Sequence, residues 1–273
     1  MASEIICRSL KYQKSHIQFL TNRSESKKLI IYLHGLDGSA SFARPLFDAF
    51  KNYKIVAIEQ RGHANSQLKA SRSIAKHLKD YRFVVNHFRA LGYRVWLLGE
   101  SMGGSYSVLF AYKYPELIEG VFAQSIPSKL VNVFKASRWE QFKVQFLTSI
   151  SYLTNINFAY QTQINYELFS NNRALHRLAR LADRNKNRQI RETLATWAAN
   201  KRAWRYMAKK VPQKPVYYFQ PGDDVVANLP KVRRIFAQKK PNLTLIWVPH
   251  ARHILTYEKQ FSIVVDKIKS VLD

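Results

Sequence analysis

Four short apolar runs punctuate the first half of the chain. Lys27 to His34 (KKLIIYLH), Tyr53 to Glu59 (YKIVAIE), Tyr93 to Leu98 (YRVWLL) and Gly120 to Ala123 (GVFA) have the length of strands and are bounded by Gly or polar loop residues. Runs that are apolar at nearly every position predict strands buried on both faces. Between the second and third, Ile74, Leu78, Tyr81, Val85, Phe88 and Leu91 recur at the helical period and predict one amphipathic helix. The C-terminal third repeats the design. Val216 to Phe219 (VYYF) predicts a strand, Lys231 to Gln238 a helix and Leu243 to Val248 (LTLIWV) another strand, while Phe261, Val264, Ile268 and Val271 lie on one helical face. Buried strands alternating with amphipathic helices predict an α/β fold with a mostly parallel sheet flanked by helices.

Ser128 to Lys210 interrupts this alternation. It lacks strand runs and holds aromatic-rich helical segments such as Gln141 to Tyr152 and Ala174 to Ala182, which predicts an inserted helical cap. The expected division is therefore 1–127 with 211–273 as core and 128–210 as cap or lid. A cut into two domains near 128 would leave neither half with a complete sheet.

The whole chain of 273 residues carries a formal charge of +26, from 44 Lys and Arg against 18 Asp and Glu. The cap is about twice as basic per residue as the core, with 16 Lys or Arg against four acids, Glu140, Glu167, Asp183 and Glu192. Such a field attracts anionic partners, although a basic proteome would produce it with no partner. Cys7 is the one cysteine, which excludes an internal disulfide and a cysteine-built zinc site and points to the cytoplasm. No stretch reads as a secretory leader or a membrane span.

Gly99-Glu100-Ser101-Met102-Gly103 follows the strand ending at Leu98 and opens a helical stretch through Tyr114. That is the setting of a G-x-S-x-G nucleophile elbow, where the turn is too tight for side chains two positions either side of the serine. A serine hydroxyl needs a base, and the base needs an orienting acid, in the chain order serine, acid, histidine. His253, past the strand Leu243 to Val248, is the expected base, with His250 as competitor. Asp224, in the loop after Val216 to Phe219, is the favoured acid, and its neighbour Asp223 remains open. His16, His77, His87 and His176 lie in polar or helical contexts and are expected at the surface. An oxyanion would need two backbone N–H groups. Met102, next to the serine, supplies one, and Leu36, in His34-Gly35-Leu36-Asp37-Gly38, is the candidate for the other.

These segments resemble the α/β-hydrolase fold serine hydrolases, in particular the group of monoacylglycerol lipases, lysophospholipases and small esterases. Beyond Gly99 to Gly104, Glu59-Gln60-Arg61-Gly62-His63-Ala64-Asn65-Ser66 is similar to the family's D-x-R-G-H-G-x-S loop, and His77-Leu78-Lys79-Asp80-Tyr81 to the start of its next helix. The resemblance implies Ser101, Asp224 and His253 as triad, Leu36 and Met102 as oxyanion donors, and the insertion as a lid over an acyl pocket. Departures are Glu59 and Ala64 in the loop, His250 and Arg252 beside His253, and Gln220-Pro221 before the acid.

A carboxylic ester hydrolase, esterase or lipase-like, is the expected function, with no metal or organic cofactor. The basic, aromatic cap suggests a lipid-like acyl ester, such as a monoglyceride or lysophospholipid, met at an anionic membrane surface. A serine aminopeptidase would need acidic residues to hold an amino terminus, which so basic a cap disfavours. Epoxide hydrolases and haloalkane dehalogenases want an Asp nucleophile where Ser101 stands. A non-catalytic scaffold binding nucleic acid through Arg173, Arg177, Arg180, Arg184, Lys186, Arg188 and Arg191 is the alternative of another class, and no nucleic-acid motif accompanies it.

Overall fold

The computed structural model describes residues 4–129, 134–135, 138–154, 156–160, 163–173, 175–176 and 188–273. Eight strands form one sheet: β1 (Ile5–Tyr12), β2 (Ser15–Asn22), β3 (Lys28–Leu33), β4 (Lys54–Ile58), β5 (Arg94–Glu100), β6 (Gly120–Gln124), β7 (Val216–Pro221) and β8 (Leu243–Val248). Their spatial order is β1-β2-β4-β3-β5-β6-β7-β8. From β4 to β8 every neighbour is parallel. The β1–β2 and β2–β4 pairs are antiparallel.

The six expected strands are present, and β5 to β7 run one to two residues further than the apolar runs do. The N-terminal hairpin β1–β2 is an addition. Its alternation is confined to β2, where Ile17, Phe19 and Thr21 are buried, while the middle of β1 lies exposed on the sheet edge. Its turn uses Gln13 at φ 56° rather than a glycine or Asn-Gly, so no turn signal announces it.

Helices cover both faces, which is why the strands read as unbroken apolar runs. On β3, Leu29, Ile31 and Leu33 point into one core layer with α2 (Ile74–Ala90) and α3 (Met102–Lys113). Ile30 and Tyr32 point into the other, against α1 (Arg44–Ala49) and the C-terminal helix Phe261–Leu272. On α2, Ile74, Leu78, Tyr81, Val85 and Phe88 are buried as expected, but Leu91 caps the helix from outside and is exposed. Gly92, at φ 81°, turns the chain there.

Within 128–210, α4 (Arg138–Thr154) contains the aromatic segment Gln141 to Tyr152. Two-residue strands, Phe134–Lys135 with Gln163–Ile164 and Ala159–Tyr160 with Arg188–Gln189, are small local additions to the helical expectation. Most of the segment Ala174 to Ala182, with Arg177, Arg180, Asp183, Arg184 and Lys186, lies outside the described residues. The last helix of the stretch, α5 (Ile190–Lys209), sets Ala199, Ala203, Trp204 and Met207 into the same core layer as α3. Ser105 Oγ on α3 donates to Asn200 Oδ1 on α5 at 2.6 Å. Among the described residues, no helix is long and apolar enough to cross a membrane.

Because Ala199 is wholly buried in the α5 layer of the core, Ala199→Leu is expected to overpack it and lower stability by about 1–3 kcal/mol, read from chemical denaturation. A loss-free substitution would mean that α5 is not part of that layer.

Candidate active site

The parallel strands deliver their C-terminal ends to one edge, and the residues singled out in the sequence meet there. β5 ends at Glu100, α3 begins at Met102, and Ser101 is the hinge between them, at φ 56° and ψ −115°. This left-handed backbone is strained for any residue with a side chain. It persists because the turn is held on each side: the Ser101 N–H donates to Gln124 O of β6 at 2.9 Å. The glycines are dictated by contact. A Cβ on Gly99 would lie 2.2 Å from Gly103 O, one on Gly103 would lie 1.9 Å from Leu33 O, and one on Gly104 would lie 2.8 Å from Gln124 O.

The ends of β7 and β8 bring in the other two groups. The Gly222 N–H donates to Val248 O at 2.8 Å and the Asp223 N–H to Ala251 O at 2.9 Å, so the two loops are tied together. Asp224 turns inward and is buried, and the Val226 N–H donates to its Oδ1 at 3.0 Å. Asp223, left open in the sequence, is exposed on the outside of the same turn. His253 is buried with Nδ1 2.9 Å from Asp224 Oδ2 and 3.1 Å from Oδ1, while Nε2 stands 2.9 Å from Ser101 Oγ. The competitor His250 is exposed, at φ 53° in the turn that starts the loop.

Burial presses His253 toward its neutral form, but the charge and hydrogen bond of Asp224, with a further contribution from Glu100, overcome it and hold its pKa above the ordinary imidazole value. Nδ1–H donating to the carboxylate leaves the Nε2 lone pair facing the Ser101 hydroxyl. The group is therefore able to accept that proton.

The loop after β3 lies against the elbow: a Cβ on Gly35 would stand 3.3 Å from Ser101 Cβ. Leu36 follows in the turn closed by the Gly38 N–H on Gly35 O at 3.0 Å. Met102 is the first residue of α3, at the positive end of that helix. Behind them, Gln60 N–H donates to His34 Nε2 at 3.3 Å, and Arg61 binds Asp80 through Nε at 2.6 Å and Nη2 at 2.9 Å. The two motif segments Glu59 to Ser66 and His77 to Tyr81 thus meet in one ion pair. His63, edge-on to His34, is pushed down to about 4 by burial and by that neighbour, and stays neutral.

Two histidines expected at the surface are inside. His77 is wholly buried, with Nε2 3.2 Å from Glu192 Oε2 of α5 and its ring stacked on Tyr106. His176 is buried, with Nε2 2.7 Å from Ser170 O. Glu192 also accepts from the Ser71 N–H at 2.6 Å, and its side chain fills the space that a Cβ on Gly62 would need.

Sequence reasoning also missed a clasp between the cap and the His253 loop. Glu258, buried, accepts from Ser170 Oγ at 2.7 Å, Asn171 N–H at 2.7 Å, Asn171 Nδ2 at 2.8 Å and Arg252 N–H at 3.3 Å. The Ile254 N–H donates to Phe169 O at 2.8 Å, and the Phe169 ring meets His253 edge-on at 5.3 Å. No spacing signals such contacts across more than 80 residues. Glu100, by contrast, sits inside the elbow motif and was readable as a charged residue entering a buried site. Among the described residues, no group of three His, Cys, Asp or Glu is placed to hold a metal ion.

The glycine contacts set a direct test of the elbow. Gly103→Ala is expected to abolish soluble folded protein or to cost more than about 3 kcal/mol, because its methyl would meet the Leu33 carbonyl at 1.9 Å, and thermal melting checks it.

Residues 24–260 match the family model described as serine aminopeptidase, S33. No curated protein matches the chain in sequence. Among solved structures, a soluble variant of monoglyceride lipase from Saccharomyces cerevisiae, crystallised with a substrate analog, superposes with a TM-score of 0.79 at 16% identity, covering 100% of this chain and 96% of that one. Monoacylglycerol lipase from Paleococcus ferrophilus gives 0.73 at 18% identity, covering 94% and 98%. The epoxide hydrolase CorEH gives 0.66 at 19% identity, covering 98% of each, so the shared architecture serves more than one chemistry. With the elbow, the parallel sheet and the family match over residues 24–260 in agreement, this chain belongs to the serine aminopeptidase S33 family of α/β-hydrolases.

Proposed function

We propose that the protein is a serine-dependent carboxylic ester hydrolase acting on acyl esters such as monoglycerides or lysophospholipids. The observation that carries this reading is the unbroken line Asp224–His253–Ser101, with both junctions at 2.9 Å and the serine on a strained elbow. In the proposed reaction Ser101 Oγ attacks the ester carbonyl while His253 Nε2 takes its proton. The tetrahedral oxyanion is received by the Leu36 and Met102 amides. Collapse expels the alcohol, protonated by His253, and leaves an acyl-serine, which water cleaves by the same route to the free acid. Asp224 holds the imidazole in its tautomer and stabilises the imidazolium. No cofactor enters.

The division proposed at the sequence level fits this reading, with 1–127 and 211–273 as core and 128–210 as cap. Within the cap, α5 is the part embedded in the core, and α4 presents Trp139, Phe142, Phe146 and Leu153 to solvent. This exposed aromatic face, in a basic stretch, supports a lipid-like substrate met at an anionic bilayer. The aminopeptidase reading, which the family's description keeps in play, is less well supported. Of the acids that could hold an amino terminus, Glu192 is buried and engaged with Ser71 and His77, while Glu140 and Glu167 lie on the exposed surface. The complete serine, base and acid line also weighs against a non-catalytic scaffold that binds nucleic acid.

Hydrolysis of p-nitrophenyl esters from acetyl to palmitoyl tests the reading. Ser101→Ala is expected to abolish turnover, and Asp224→Asn to lower kcat by about ten-thousand-fold, while Asp223→Asn stays within about twofold of wild type. Comparable losses in the two aspartate variants would reassign the acid. For the membrane clause, co-sedimentation should favour phosphatidylglycerol vesicles over phosphatidylcholine vesicles at low salt and weaken at high salt. Equal binding to both would remove it.

A further inference from the structure

Glu100, the residue immediately before the nucleophile, is a buried acid to which the triad assigns no task. Its carboxylate accepts from Tyr32 OH at 3.0 Å and from the Thr256 N–H and Oγ1 at 3.4 Å. All of these donors are neutral. A buried carboxylate costs free energy unless it is paired, and a neutral amide could stand there more cheaply, its oxygen accepting from Thr256 and its NH2 donating to the Tyr32 hydroxyl oxygen. The charged or titratable groups around it are few. Tyr32 comes from β3, Tyr257 from the 3-10 turn Leu255–Tyr257, and Arg44 of α1 acts on Tyr257 from behind. The one group in reach that becomes cationic during the proposed reaction is His253, whose other side is held by Asp224.

We propose that Glu100 is a positioning residue for His253: through Thr256 it fixes the turn that follows the histidine, and it shares with Asp224 the positive charge that the imidazole takes up when Ser101 is deprotonated. This rests on the hydrolase reading and adds a second acid to it. The electrostatics agree in direction. Burial raises the Glu100 carboxyl above its usual range and His253 draws it back, while Glu100 in turn raises His253.

The sign of the test follows. His253 must be neutral to act as base, so activity falls as pH drops through its pKa. Removing a negative neighbour lowers that pKa. Glu100→Gln should therefore move the acid limb of kcat/KM to lower pH by about half a unit and reduce the plateau by about threefold. Its melting temperature at neutral pH should be at or above that of wild type, since an uncompensated buried charge has been removed. Glu100→Asp keeps the charge and should leave the acid limb at the wild-type pH, whatever its rate. An unmoved limb in Glu100→Gln, an equal shift in both variants, or a Gln variant that melts well below wild type or fails to fold would each make Glu100 a packing residue and overturn the proposal. If wild type neither hydrolyses esters nor reacts with a fluorophosphonate, the hydrolase reading fails first and takes this inference with it.

Discussion

A close approach of backbone to backbone at the elbow around Ser101 is the constraint on which the site depends. The first turn of α3 rests on the carbonyls of Leu33 and Gln124, so near that positions 103 and 104 have no room for a Cβ, and Gly103 O in turn leaves none at position 99. Only under that constraint does Ser101 hold its strained backbone and present its hydroxyl above the sheet. The flanking strands supply the clamp: β3 and β6 lie on either side of β5, each apolar on both faces because helices cover both. Core packing thus fixes the strain at Ser101, and the loops after β7 and β8 need only reach it.

Much of this architecture was legible because a strand buried on both faces leaves an unbroken apolar run. β3 to β7 carry that signature, β8 at the sheet edge is apolar in sequence although only Leu243 and Val248 are buried, and the elbow adds glycines whose necessity is steric. The N-terminal hairpin left no such trace, since its outer strand is half solvated and its turn is made by Gln13 in a left-handed conformation. His77 and His176 read as surface residues because a polar side chain on a helix is usually solvated. The burial of His77 depends on a partner far along the chain, Glu192, while His176 turns its Nε2 inward onto Ser170 O six residues before it. The sequence favoured Asp224 without closing off Asp223, because adjacent residues in a turn point opposite ways and the register of the β7 loop against Ala251 decides which faces inward.

The distribution of charge is as informative as its sum. Among the described residues Glu59, Asp80, Glu100, Glu192, Asp224 and Glu258 are all buried, so at least six of the 18 acids are withdrawn from the surface of a chain already at +26. The exposed surface is therefore poorer in acids than the composition alone suggests. Inside, carboxylates organise the site: Asp80 secures the Arg61 loop, Glu192 joins α5 to the loop before α2, and Glu258 clasps the cap to the His253 loop. An anionic interior suits the proposed reaction, whose base passes through an imidazolium.

The central claim is that Ser101 is a nucleophile activated by His253. The most direct measurement is reaction of the folded protein with a fluorophosphonate, followed by proteolysis and mass-spectrometric location of the adduct. The account predicts one phosphonyl group, on the peptide containing Ser101, formed faster as pH rises through the His253 titration and absent in His253→Ala. An adduct on a different residue, or none on a folded wild-type protein, would contradict it.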